Sequence, residues 1–191
     1  MKTKSEQYMK RLVPSERHLE AWEALFKKYW ITPAHMEKYE ALDSVETDPD
    51  FDSLLLEQAK QLDTMEDVIK ANEQTSVGHA VPNKYVNAGL SVLEEMYPDA
   101  NAIITSGMTC YPPNSYMGWH TNSDYPGKRC YVSWSDQAHK NYFRYKIEDK
   151  IFTDYDEEGV NIREFYITEE PLFWHCVGCK EYRFSVGYTI L

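Results

Sequence analysis

The sequence predicts an α+β protein in which a helical first half supports an antiparallel β barrel or jelly roll in the second. Three observations predict it. Apolar residues recur at helical spacing up to about residue 100. After Asn101 they gather into short runs rich in Ile, Val, Tyr, Phe and Thr. Turn residues separate those runs with no helix-length periodic segment between them, which argues against a βαβ arrangement with its helical crossovers. No repeat, low-complexity tract or composition break divides the 191 residues. One domain over residues 1–191 is expected, with about 1–100 as helical support and about 101–191 as the β core.

In chain order, Ser15 is placed to cap a first helix whose apolar stripe is Leu19, Trp22, Leu25, Phe26, Tyr29 and Trp30. Thr32-Pro33 reads as the cap and first turn of a short helix through about Leu42, and an acidic, turn-rich stretch runs from Asp43 to Asp50. Leu54, Leu55, Ala59 and Leu62 make another stripe, and Thr64 caps a helix to about Asn72. Tyr85, Val86, Leu90, Leu93 and Tyr97 make the last, which Pro98 stops. Stripes at this spacing are core surface far more often than cofactor or partner surface.

Strands are expected at Ala102 to Cys110, Arg129 to Trp134, Asn141 to Ile147, Val160 to Ile167, Leu172 to Val177 and Tyr182 to Ile190. The turns between them fall at Pro112-Pro113-Asn114, Tyr125-Pro126-Gly127, Glu157-Glu158-Gly159 and Gly178.

Composition narrows the function classes. A net charge of −11 gives no global electrostatic support to binding of long nucleic acids, although a local basic patch would restore it. No apolar run approaches the roughly 18 residues of a membrane span. No secretory signal is visible at Met1 to Lys10, and a cytoplasmic location is the expectation. The four cysteines are few, and free thiols are expected in a reducing compartment. Cys176-Val177-Gly178-Cys179 has the spacing of a redox or zinc motif, but Cys110 and Cys130 form no second pair, and Cys176 is expected to face away from His175. Tyr125, Lys128, Arg129, Tyr131, Trp134, Tyr142, Arg144 and Lys146 would suit an aromatic, basic rim, although alternating strand residues produce such sets without function.

The chemistry concentrates between Tyr111 and Ser185. His120 and His175 each directly follow a tryptophan in the strand-rich half. A lone barrel histidine is more often a hydrogen-bonded core residue than a ligand. Arg183 and Ser185 share one face of a strand by its two-residue alternation, so a cation and a hydroxyl point together. A guanidinium fork inside a barrel needs an anion: a small dicarboxylate such as 2-oxoglutarate offers one, and a salt bridge to an acid of the chain offers another. Tyr111 lies across the proline turn from His120, within reach of the same carboxylate or as an ordinary core tyrosine.

Taken together, Tyr111, His120-Thr121-Asn122 and, further on, His175 with Arg183-Phe184-Ser185 resemble the Fe(II)/2-oxoglutarate-dependent dioxygenases, in the prolyl-hydroxylase-like and alkylated-nucleic-acid demethylase-like branch. The resemblance covers about Thr105 to Leu191. It implies a double-stranded β-helix with supporting helices, and an enzyme that couples decarboxylation of 2-oxoglutarate to oxidation of an unidentified substrate by O2, with ascorbate available as a reductant. On this resemblance His120 and His175 are iron ligands, Arg183 pairs with the distal carboxylate of 2-oxoglutarate, and Ser185 and Tyr111 hydrogen-bond to it. The family places an acid two residues after the first histidine, where this chain has Asn122. Asn122 is read as occupying that ligand position; Asp124, on the same face if the strand stays extended, or a water or halide as in related halogenases, are the alternatives. A β-helix binding module without competent iron chemistry is the non-enzymatic alternative.

Overall fold

The computed structural model describes residues 8–32, 56–61, 79–80 and 83–191. Its strands are β1 (Met9–Leu12), β2 (His79–Ala80), β3 (Ile103–Tyr111), β4 (Ser115–His120), β5 (Gly127–Ser135), β6 (Asn141–Ile147), β7 (Lys150–Tyr155), β8 (Gly159–Ile167), β9 (His175–Cys179) and β10 (Arg183–Ile190). They make two sheets, one of six strands in the order β1-β8-β5-β10-β3-β2 and one of four in the order β4-β9-β6-β7. Every pairing among the described residues is antiparallel.

Alternation along each strand sorts side chains into three apolar layers. Cys130 and Val132 of β5 and Phe184, Val186, Tyr188 and Ile190 of β10 pack outward with Trp22, Phe26, Trp30, Val92 and Leu93. Between the sheets lie Tyr111, Phe143, Tyr145, Phe165, Phe173 and Val177. On the far face of the smaller sheet, Tyr116, Trp119, Trp174 and Cys176 meet Leu56 and Ala59 of the helical residues 56–60.

The outer layer explains the first helix. In α1 (Glu16–Leu25) the Ser15 hydroxyl accepts a hydrogen bond from the His18 amide at 3.3 Å, so one otherwise unpaired donor of the first turn is satisfied. The chain widens into a π-helical turn over Phe26–Trp30, and Trp22, Phe26 and Trp30, four residues apart, all become buried. Burial of a side chain such as Phe26 contributes about 1.5–3 kcal/mol, so this stripe fixes the helix to the large sheet. A 3-10 turn at Asn83–Gly89 leads into α2 (Leu90–Met96), which ends just ahead of Pro98. The helices expected to about Leu42 and from Thr64 to Asn72, the acidic stretch Asp43 to Asp50, and Leu54, Leu55 and Leu62 lie outside the described residues. No helix among the described residues is long and apolar enough to cross a membrane.

Several boundaries differ from the sequence expectation. β1 was not expected because its composition is polar; Lys10 and Arg11 are held there by Glu164 and Asp154 at 2.7 and 3.1 Å. β4 and β7 also add to the expected set. Leu172 is not in a strand, since β9 begins only at His175 after the turn at Pro171-Leu172. Gly178 is not a turn but an interior strand residue: a Cβ there would overlap the ring of Tyr142 on the neighbouring strand, so glycine is what lets β6 and β9 approach.

Candidate metal centre

The two Trp-His pairs follow from alternation. Trp119 and Trp174 pack into the outer layer of the smaller sheet while the histidine after each turns inward. A register shift between Met117 and His120 marks a bulge in β4, and beyond it His120 and His175 stand directly opposite one another on β4 and β9. Their ring centroids are 4.2 Å apart. Phe143, Phe165 and Phe173 surround His175, with ring centroids 5.4, 5.7 and 5.5 Å away.

Backbone carbonyls set the tautomers. Nδ1 of His120 lies 2.8 Å from the Gly118 carbonyl oxygen, and Nδ1 of His175 lies 3.0 Å from that of Phe173. A carbonyl only accepts, so each Nδ1 carries the proton and each Nε2 keeps its lone pair, the arrangement of a metal-binding imidazole with an oriented outer partner. Burial lowers the pKa of His120 from 6.5 and that of His175 well below it, the latter helped by His120 itself. Both rings are therefore neutral near pH 7, the form that binds a metal.

Asn122 stands beside His175. β4 ends at His120 and the chain turns, with the Tyr125 amide donating to the Asn122 carbonyl at 3.1 Å. Asn122 enters that turn at φ 54°, a left-handed conformation that asparagine and aspartate tolerate better than most residues. Its Nδ2 lies 3.3 Å from His175 Nε2, so the amide donates to the lone pair a cation would take. Half a turn about the terminal torsion exchanges Nδ2 for Oδ1, the donor atom for a metal. Because the strand does not stay extended, Asp124 does not join the group. Among the described residues no third His, Cys, Asp or Glu stands with the two histidines. Asp124 instead lines a larger, adjoining cavity. Asn122→Asp, compatible with the same backbone, is expected to tighten Fe(II) binding by about tenfold or more, and Asp124→Ala to leave it unchanged. Metal titration of both variants checks this; the reverse pattern would return the ligand position to Asp124.

The pair opens onto a cavity of about 180 Å³ whose lining includes Tyr111, His120, Asn122, His175 and Ser185. The three expected anion-binding residues are adjacent: Arg183 pairs with Tyr111 across the β10–β3 ladder, and Ser185 follows on the same face. Arg183 is wholly buried behind the cavity wall, its guanidinium 5.5 Å from the Tyr111 ring centroid. Its Nε donates to Asp156 Oδ2 at 2.8 Å, so the chain itself supplies the salt bridge left open above. Its Nη1 is buried with no hydrogen-bond partner among the described residues. Arg163 Nη1 lies 2.6 Å from the other oxygen of Asp156, so one buried carboxylate serves two buried guanidiniums. Burial alone would raise the pKa of Asp156, but Arg163, Arg183 and the Ser135 hydroxyl hold it well below the usual carboxylate range. Burial keeps the Tyr111 phenol protonated and thus a donor; its hydroxyl makes a long contact, 3.5 Å, to Met117 Sδ and interacts with the Thr109 hydroxyl.

Two solved structures are among those similar to this chain. One is an oxidoreductase of the 2OG-Fe(II) oxygenase family from Burkholderia pseudomallei, with 11% identity over 79% of this chain and 94% of that one, at a TM-score of 0.43. Another is a prolyl-4-hydroxylase from Pseudomonas putida, with 14% identity over 78% of this chain and 90% of that one, at the same TM-score, 0.43. No protein-family model and no curated protein sequence matches the chain. With identity this low, the functional reading rests on the side chains of the site.

The remaining motifs separate. Cys176 lies in the outer layer of the smaller sheet and Cys179 between the sheets, so the two thiols leave opposite faces of β9. None of the four cysteines forms a disulfide, all four are buried, and burial pushes Cys110 and Cys130 up to about 12, far from a reactive thiolate. The aromatic and basic stripe does not form one rim. Lys128 sits outside the large sheet over Tyr97 and Trp134 packs against the helices, while Arg144 lies 4.0 Å from the Tyr142 ring centroid on the smaller sheet. Only Tyr125, Arg129 and Tyr131 of that set line the larger cavity. Sequence reasoning missed Asp156, one acid among 31 in an acidic chain; its only local signal was its place just before the Glu157-Glu158-Gly159 turn.

Proposed function

We propose that this chain is a non-haem Fe(II) and 2-oxoglutarate-dependent oxygenase, most simply a hydroxylase. The observation that carries the reading is the cross-strand pair His120 and His175, each with Nδ1 on a backbone carbonyl, with the His175 Nε2 3.3 Å from the Asn122 amide. The strand orders β8-β5-β10-β3 and β4-β9-β6-β7, with the chain changing sheet at nearly every connection, support a double-stranded β-helix as the finer description of the fold.

The donor set fits Fe(II): two neutral imidazoles and an amide oxygen resemble the two-histidine, one-carboxylate face of such sites, one negative charge short. Bound together, iron, 2-oxoglutarate and O2 would supply the oxidising chemistry, with succinate and CO2 as the products of the cosubstrate. His120 and His175 would hold the metal through Nε2, and Asn122 through its amide oxygen. Phe143, Phe165 and Phe173 keep water from one side of His175. Tyr111 and Ser185 would donate to the distal carboxylate, while Arg183, its fork aimed by Asp156, supplies the countercharge from behind Tyr111. The Asn122 amide, 3.3 Å from His175 Nε2, favours a protein ligand there over a halide.

Anaerobic titration of the protein with Fe(II) and 2-oxoglutarate tests the reading. A weak visible charge-transfer band that needs both is expected; no band at saturating ligand, with no binding of either, would leave a non-catalytic β-helix module. Arg183→Ala is expected to weaken 2-oxoglutarate binding by roughly tenfold or more while changing Fe(II) affinity far less. Equal loss of both, in a variant whose circular dichroism shows it folded, would remove the assigned role.

A further inference from the structure

We propose that the larger cavity beside the histidines, about 610 Å³, binds a small monocarboxylate with a flat or branched apolar body, and that Arg129 takes its carboxylate. Calling that molecule the substrate rests on the oxygenase reading; the anion site itself rests on its own residues.

Arg129 is on the inward face of β5 and only 3% exposed. Its Nη2 donates to the Tyr125 carbonyl, and its Nη1 is buried without a hydrogen-bond partner among the described residues. A guanidinium in this position is costly unless an anion meets it, and a planar carboxylate matches its fork. Burial pushes its pKa down from 12.5, yet an arginine remains charged at any physiological pH.

The rest of the cavity chooses the ligand. Ile104, Tyr125, Pro126, Tyr131 and Leu191 give it an apolar lining, and its volume is within the ordinary range for a small-molecule site. Asp124 stands at the exposed side of the same cavity, so a second negative charge on the ligand would be repelled. That selects a monoanion over a polyphosphate or nucleic acid. Ser106, Asn122 and Tyr131 line both this cavity and the smaller one. A ligand anchored at Arg129 would therefore direct its far end toward the histidines.

Benzoate is a suitable probe and benzamide its uncharged control, measured by calorimetry on the metal-free protein so that iron cannot bind the probe. Benzoate is expected to bind at least tenfold more tightly than benzamide, and Arg129→Gln to lose that preference. Arg129→Lys, which keeps the charge without the fork, is expected to be intermediate, and serves if Arg129→Gln does not fold. Equal binding of the two probes, or no binding of either, overturns the proposal. Full displacement of benzoate by 2-oxoglutarate would also overturn it, by making Arg129 the cosubstrate's residue. Arg129-dependent benzoate binding in a protein that gives no iron and 2-oxoglutarate band would sink the oxygenase reading alone. The band without benzoate binding would sink this inference alone.

Discussion

Replacing His175 by alanine is expected to abolish Fe(II) binding at micromolar metal, an effect larger than the ~10–100-fold that follows loss of an outer hydrogen-bond partner. The reason is geometric. His175 supplies one of two neutral Nε2 donors, and the Asn122 amide that meets it has no charge with which to hold a dication alone. His120→Ala should match it, because the two rings are equivalent across the β4–β9 ladder. Binding is read by anaerobic titration alongside a thermal melt, since removing an imidazole from among Phe143, Phe165 and Phe173 also leaves a hole in the inner layer. Retention of Fe(II) within tenfold of the parent, in either folded variant, would dismiss the histidine pair as the metal centre.

The largest expected effect on stability lies at Asp156. Asp156→Asn keeps the shape and removes the charge, leaving Arg163 and Arg183 buried without their shared counterion. Breaking a buried pair in this way typically costs about 3–5 kcal/mol. Urea unfolding at neutral pH measures it; Arg163 Nε also lies 2.6 Å from Asp154 Oδ2, and a loss below about 1 kcal/mol would show that this second partner, and not the shared Asp156, carries the cluster. The pH dependence has a definite sign. The carboxyl's folded pKa is depressed below its ordinary 3.8, so its stabilisation is fully present above that value. It disappears as pH falls through the depressed folded value. The parent should therefore lose stability steeply below about pH 4, and the asparagine variant should lack that component of the acid transition.

Much of this was legible in the sequence, for reasons that differ by element. Asn141 to Ile147 is a strand in both, because a run of Tyr, Phe and Ile bounded by turns has one economical conformation. His120 and His175 stood out because alternation after a tryptophan sends one residue to each face, and Arg183 and Ser185 because two residues in a strand share a face. β4 was not legible: Ser115 to His120 contains Gly118 and a bulge, and its pairing partner lies far along the chain. Asp156 was illegible as a functional group, since a charge gains meaning only from what is buried with it, and Arg129 stood out only as one of eight residues of an expected rim. The third-ligand alternative at Asp124 depended on a straight strand, and the left-handed φ of Asn122 is what bends the chain away.

The layout of the strands has a consequence for how the site comes into being. β10 lies between β3 and β5, β5 is joined to β8, and β9 lies between β4 and β6, so the central pairings link distant parts of the chain. Asn122 and His175, which meet at 3.3 Å, are 53 positions apart. Nascent chain emerging from the ribosome would hold the first histidine long before the second exists to face it. Folding dominated by such non-local contacts is slow, typically milliseconds to seconds, because loop closure must precede reward. A metal held by residues of both β4 and β9 would then act as a latch on that sheet, raising the thermal midpoint with the logarithm of its free concentration over its dissociation constant.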